Sequence, residues 1–290
     1  FNKTWYDSTD TVVAISKVTH DIVKTVSPEV ETHYLPHSVN SDIFKPLSKE
    51  DKKELREKAS VEEDNFVVFW NNRNARRKHP GTLIFWFNEF LDRVGHDKAT
   101  LIMHTDPKDT NGPNLNAILH SLNLTDGQVK FSTTKLEFSQ MAALYNIADV
   151  TVNISDAEGF GLSTLESLSC GTPIIVNLTG GLQEQVTDGE EWFGIGIEPC
   201  SKTVIGSQDI PYIYEDRINK EEFISALEKM YNMTEEEREE LGRKGKQHVN
   251  KNYNFENYVV RWRKLLEDVH ENHGSWKTRK KYKVWELLEV

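Results

Sequence analysis

Asp156-Ala-Glu-Gly-Phe-Gly-Leu-Ser-Thr-Leu-Glu166, followed by Ser169-Cys-Gly-Thr-Pro173 and the apolar run Ile174-Ile-Val176, sets two carboxylates eight residues apart around the mouth of a predicted helix. Gly159 and Gly161 let the backbone turn tightly and come close to a ligand. A helix beginning near Leu162 or Ser163 points its unpaired first N–H groups at whatever sits there, and its dipole favours an anion. Glu158 lies just before that helix and Glu166 about one turn inside it. Carboxylates aimed at a phosphate repel it, whereas carboxylates aimed at neutral hydroxyls accept their hydrogen bonds. The ligand that satisfies both is a phosphate with hydroxylated groups on each side. The competing reading is an ordinary strand–turn–helix unit whose Glu166 is a solvated helix charge.

Upstream, Phe66-Val-Val-Phe-Trp70 reads as a fully buried strand, and it runs into the basic loop Asn71-Asn-Arg73-Asn-Ala-Arg-Arg-Lys78-His-Pro80. Open α/β sheets bind ligands beyond the carboxyl ends of their strands, so cations there matter. Arg73 and Lys78, with Arg77 as a substitute, would neutralise a diphosphate and stabilise the charge that grows on it as a bond to it breaks. The alternative is a solvated run of surface charge. Downstream, Asn177-Leu-Thr-Gly180-Gly181-Leu-Gln-Glu184 is another glycine turn leading into a helix start. Further strands are predicted at Thr100–His104, Gln128–Phe131 and Val150–Ile154, with helices near Leu115–Leu122 and Phe138–Ile147 between them. Such alternation implies βα units and a mostly parallel sheet.

The first residues repeat the pattern on a smaller scale. Val12–Ile15 reads as a strand, Ser16 as a helix cap and Thr32–Leu35 as another strand. Pro36 to Pro46 then has loop chemistry and precedes a charged helix, Ser48–Ala59, which suggests a hinge. Cys200 to Tyr214 shows little periodicity and reads as a surface excursion. Helices are predicted over Lys220–Tyr231 and Glu235–Lys251 and from Phe255 through Trp262 to Leu266. After Gly274, Trp276, Arg279, Lys280, Lys281 and Lys283 with Val284–Leu288 form a short basic amphipathic segment; docking on the protein itself is expected, with membrane-surface contact as the alternative.

A nucleoside diphosphate sugar has the form the central stretch asks for, with a ribose on one side of the diphosphate and a hexose on the other. The glutamate, seven residues, glutamate pattern of Glu158 and Glu166, the intervening Gly159-Phe-Gly-Leu162 and the Cys170-Gly-Thr-Pro-Ile-Ile175 end together resemble retaining glycosyltransferases of the GT-B fold, family 4, over about Asp10 to Trp262. The resemblance implies that Glu158 contacts the transferred sugar, that Glu166 binds the ribose, and that backbone amides at Gly159, Phe160, Gly161, Leu162 and Ser163 hold sugar and phosphate. It also implies an arginine and a lysine in the basic loop, here Arg73 and Lys78, and a loop bordering the base at Ser132–Leu136, including Thr134 and Lys135. Two departures stand out: asparagines precede the arginine where a glycine is customary, and His79-Pro80 replaces the glycine after the lysine. In the linker, Ser38 and Asn40 replace the usual glycine and aspartate.

The expected fold class is therefore α/β: a Rossmann-like parallel sheet flanked by helices, as in a GT-B C-terminal domain, with a truncated remnant of the N-terminal domain. The expected boundaries are 1–39 for the end of the N-terminal domain, 40–47 for the hinge, 48–252 for the donor-binding domain and 253–290 for helices crossing back. The resemblance implies transfer of a hexose from a UDP-, GDP- or ADP-sugar to an unknown acceptor whose contacts belong mainly to the missing N-terminal domain. No cofactor and no metal are expected, since the cations take the metal's part. A non-catalytic nucleotide-sugar-binding module and, further off, a nucleotide-sugar epimerase are the other readings.

Composition agrees with a soluble globular chain. Of 290 residues 37% are hydrophobic and 28% charged, and 35 Lys+Arg against 46 Asp+Glu give 35 − 46 = −11, which speaks against nucleic acid. Cys170 and Cys200 lack metal-ligand spacing, and no apolar run is long enough to span a bilayer. With Phe1 first and no apolar leader, the chain reads as cytoplasmic, and the sequons at Asn123 and Asn177 as chance.

Overall fold

The computed structural model describes residues 2–275, 277, 278 and 280. In chain order the elements are α1 (Asn2–Asp7), β1 (Thr11–Ala14), α2 (Lys17–Val26), β2 (Glu31–Tyr34), α3 (Lys49–Lys58), β3 (Phe66–Asn71), α4 (Pro80–Val94), β4 (Ala99–His104), α5 (Leu115–Ser121), β5 (Val129–Ser132), α6 (Phe138–Ile147), β6 (Val150–Asn153), α7 (Leu162–Ser169), β7 (Ile174–Asn177), α8 (Leu182–Val186), β8 (Gly194–Ile197), β9 (Ser201–Val204), β10 (Tyr214–Arg217), α9 (Lys220–Asn232), α10 (Glu235–Asn252) and α11 (Phe255–His273). They fall into two compact units, residues 38–254 and residues 1–37 with 255–290.

The larger unit is built on a six-stranded parallel sheet in the order β5-β4-β3-β6-β7-β8. Its two halves wind outward from β3 and β6, the doubly wound order that leaves a crevice where the winding reverses. β3 is central, and its alternate side chains serve two layers. Phe66, Val68 and Trp70 join Leu83, Phe87 and Phe90 of α4 and Phe223 and Leu227 of α9 in one core. Phe69 faces the other way, its ring 5.0 Å from that of Tyr145 on α6, and Asn71 follows on the same face. Burying each such side chain contributes roughly 1.5–3 kcal/mol. Residues 44–47 are tied to the same layer: Leu47 N donates to Asn146 Oδ1 at 2.8 Å and Ser169 Oγ to Phe44 O at 2.6 Å.

The surface excursion read over Cys200–Tyr214 contains regular structure. β9 and β10 pair antiparallel, Ser201 opposite Arg217. Most of their side chains are exposed, so no hydrophobic alternation marks them in the sequence. In the smaller unit β1 runs parallel to β2, Ser16 caps α2 by accepting from Thr19 N, and Arg261 of α11 donates to Tyr34 O at 2.6 Å. In the basic segment, Trp276, Arg279, Lys281, Lys283 and Val284–Leu288 lie outside the described residues.

Candidate functional site

The loops that leave β3 and β6, adjacent strands at the crevice, carry the two motifs. They are stitched together: Asp156 N donates to Arg77 O at 3.0 Å, and Arg77 Nη1 donates to Ala157 O at 2.7 Å. Lys78, 7% exposed, ends a single 3-10 turn (Arg76–Lys78) and places its Nζ on Glu158 Oε2. Asn153 Nδ2 approaches the same oxygen at 3.5 Å. Burial pushes the Lys78 ammonium below the usual lysine range, with Glu158 pulling the other way. An ammonium and a carboxylate therefore converge just ahead of α7.

The start of α7 has the form an anion site needs. Gly161, at φ 93°, is its cap and supplies no side-chain cap bond, so the first amides have no intrahelical acceptor. From below, Gln185 Nε2 donates to the carbonyls of Phe160 (2.8 Å) and Gly161 (3.1 Å), which fixes the peptide orientation. Gly180, at φ 50°, lies against Glu158, and a Cβ there would fall 1.6 Å from the Glu158 carbonyl oxygen. The glycine pair thus seats the ligand loop, while the Phe160 ring packs on Tyr253 at 5.8 Å. Phe160 can offer a ligand only its backbone.

Behind Lys78 sits a charge network that the sequence did not announce. Asp156, 3% exposed, pairs with His79 Nε2 and with Arg217 Nη1, the latter at 2.8 Å. Glu215, 2% exposed, binds Arg217 Nη2 at 2.6 Å and Arg76 Nη2 at 2.8 Å. Asp216 N donates to Asp156 O at 2.8 Å, so β10 backs both site loops. His79 adopts φ 55°, a backbone conformation that glycine enters freely. That explains why a glycine is customary there: here a close contact between the imidazole and Asp156 holds a histidine in its place, and Pro80 starts α4.

Glu166 meets different surroundings. Its Oε2 accepts from Tyr145 Oη at 2.7 Å, and Tyr145 Oη accepts from Asn71 Nδ2 at 2.9 Å. Among the described residues no cation pairs with this carboxylate. Burial, against a smaller pull from the Tyr145 hydrogen bond, pushes its pKa up to about 7. Burial and Glu166 together push the Tyr145 phenol well above its usual range.

The remaining candidates are dispersed. Arg73 is exposed, its Nε 2.6 Å from Asp109 Oδ2, and that guanidinium holds Asp109 well below the usual carboxylate range. Gly159 and Leu162 are exposed and Ser163 is half-buried beside the Glu158 loop. Thr134 and Lys135 are exposed on the loop between β5 and α6, and no described hydrogen bond joins them to Lys78 or Glu158. A cavity of about 650 Å³ lies at the opposite end of the sheet, lined by Lys52, Arg56, Asp149 and Arg238. Arg56 and Arg238 there are consumed by Asp149, at 2.7 and 3.4 Å. Among the described residues no group of three or more His, Cys, Asp or Glu side chains is placed to hold a metal ion, and no helix is long and apolar enough to cross a membrane.

A doubly wound sheet with a helix start, a buried lysine and two carboxylates at its switch point defines the class: a Rossmann-like domain of the GT-B type. The chain belongs to the family of glycosyl transferases group 1, whose model matches residues 51–248. It is similar to the alpha-monoglucosyldiacylglycerol synthase of Streptococcus pneumoniae, 26% identical over 184 residues, which cover 62% of this chain and 40% of that protein. The chain thus spans well under half of that relative's length. Among solved structures, the sucrose-phosphate synthase of Thermosynechococcus elongatus matches with a TM-score of 0.75 at 22% identity, covering 93% of this chain and 61% of that one. HepE of Anabaena, solved with UDP and glucose, matches with a TM-score of 0.71 at 17% identity, covering 92% and 67%. These structural likenesses bear on the fold.

Proposed function

We propose that this chain is the donor-binding part of a retaining glycosyltransferase that moves a hexose from a nucleoside diphosphate sugar to an acceptor. The observation that carries the reading is the pairing of Lys78 with Glu158 beside the uncapped start of α7, with Glu166, which no cation pairs among the described residues, eight residues beyond Glu158. In this reading the diphosphate lies against Lys78 and the amides of Leu162 and Ser163, with Arg77 and Arg73 at the rim. Lys78 and the helix start stabilise the charge that develops on the diphosphate as the bond to the sugar breaks. Glu158, released from Lys78 as the phosphate takes the ammonium, accepts from the hexose hydroxyls, and Glu166 accepts from the ribose. No metal is assigned a role, because Lys78 and the arginines supply the positive charge. Acceptor contacts are assigned to polypeptide outside this sequence. Family membership supports this donor chemistry, as does the structural neighbour solved with UDP and glucose.

The test is incubation of the chain with UDP-, GDP- and ADP-hexoses, following release of nucleoside diphosphate and the anomeric configuration of the freed sugar by proton NMR. Release with the donor's configuration preserved at first turnover, lost in Glu158→Gln, is the expected result. Binding without release identifies a non-catalytic module, and an altered sugar formed without an acceptor identifies an epimerase.

A further inference from the structure

Tyr145 is the largest polar side chain in the layer between the sheet and α6/α7, and it is fully buried. Its ring is clamped 5.0 Å from Phe69 and 6.2 Å from Phe44, both edge-on. At its tip the hydrogen-bond roles are fixed. Asn71 Nδ2 can only donate, so it occupies a lone pair of the phenol oxygen, and the phenol proton is left to point at Glu166 Oε2. Asn71 is itself steadied by Met141 Sδ at 3.4 Å. Among the described residues, Tyr145 is the one hydrogen-bond donor that reaches the Glu166 carboxylate. We propose that Tyr145, aimed by Asn71, is a positioning residue for Glu166: it ties down Oε2 and leaves Oε1 for the hydroxyls of the nucleoside ribose. This inference rests on the reading of Glu166 as the ribose ligand.

The groups that face Glu166 are few. α6 offers the Tyr145 phenol and the residue that ends α7 offers the Cys170 thiol, which burial and Glu166 push upward; Lys52 of α3 and Lys246 of α10 act on Cys170 from farther off. Tyr145 is thus the main polar control on the carboxyl, and its hydrogen bond favours the ionised form. A ribose diol is accepted best by that ionised form. Donor affinity is therefore expected to climb as pH rises through about 7 and to level above it. Removing the phenol moves the midpoint up by about one unit, the effect of one hydrogen bond lost to a carboxylate.

The experiment is calorimetric titration of the whole chain with UDP, GDP and ADP between pH 6 and 9, comparing wild type with Tyr145→Phe and with Asn71→Ala. The ratio of variant to wild-type Kd at each pH cancels the titration of the ligand's own phosphates. The expected result for Tyr145→Phe is a ratio of about five at pH 7 that falls below two at pH 9, with a smaller change of the same sign for Asn71→Ala. A ratio of one, or one that stays constant with pH as a packing defect would give, overturns the inference and leaves the donor-site reading standing. If wild type binds none of the three, the donor-site reading fails, and the inferred ribose role falls with it. Carbon-13 NMR of the Glu166 carboxyl then tests the remaining coupling: an unchanged midpoint in Tyr145→Phe overturns that as well.

Discussion

Glu158 and Glu166 are the same side chain on one short segment, yet they sit in opposite electrostatic settings. Glu158 is held by a buried ammonium and an asparagine amide, inside a wider lattice of Arg76, His79, Asp156, Glu215 and Arg217. Glu166 has a phenol and, among the described residues, no cation. The difference teaches that neighbours, not residue type, divide the labour: one carboxylate is paired with an ammonium next to the place for an anion, the other is pushed up toward neutral pH by burial next to a place for hydroxyls.

Breaking the Glu158 side at its seat gives the largest effect. Gly180→Ala forces a Cβ into the Glu158 carbonyl and strains a left-handed backbone; a loss of about 3 kcal/mol or more is expected, seen as a lower Tm, together with loss of nucleotide binding. Lys78→Ala comes next. Nucleoside diphosphate affinity is expected to fall about 100-fold, the weight of a strong charge-assisted contact. It also leaves Glu158 buried without its partner, at about 3 kcal/mol. Adding Glu158→Gln recovers Tm but not affinity, and differential scanning calorimetry with titration separates the two.

Glu166→Gln sharpens the other side. The folded carboxyl titrates at about 7 against an unperturbed 4.5, so the native state binds the proton more tightly than the unfolded chain. The contribution of this one group to stability is greatest at low pH, declines as pH rises from about 4.5 to about 7, and is flat above. The substitution is expected to stabilise the chain by about 2–3 kcal/mol at pH 8 and by under about 1 kcal/mol at pH 5 in urea unfolding. Arg73→Ala is expected to be the mildest: the side chain is 66% exposed and engaged by Asp109, so affinity falls about threefold and Tm stays within the error of a thermal melt.

The frame of the fold was legible because Phe66–Trp70, Leu101–Met103 and Ile174–Val176 are continuous apolar runs, the mark of strands covered on both faces. The two glutamates drew notice because the glycines beside them announce close backbone approach, and Lys78 because it ends a basic loop that follows a buried strand. Tyr145 was not: in a helix with Ala142 and Ile147 it reads as core, and only the third dimension shows its hydroxyl at Glu166. Glu215 and Arg217 were hidden for another reason. A buried carboxylate satisfied by two arginines leaves no periodicity, and β9 is too exposed to betray the hairpin that delivers them. His79 was hidden because a left-handed backbone is announced by glycine, and here a side-chain contact with Asp156 accompanies it instead.

The central claim is that the Lys78 side takes phosphate and the Glu166 side takes ribose. The direct measurement is a cycle of titrations with the nucleoside diphosphate that binds best, its 2′-deoxy form and the nucleoside monophosphate, against wild type, Lys78→Ala and Glu166→Ala. The account predicts that the Lys78→Ala penalty shrinks when the second phosphate is removed and survives loss of the 2′-hydroxyl, while the Glu166→Ala penalty does the reverse. Equal penalties for both variants with all three ligands would contradict it.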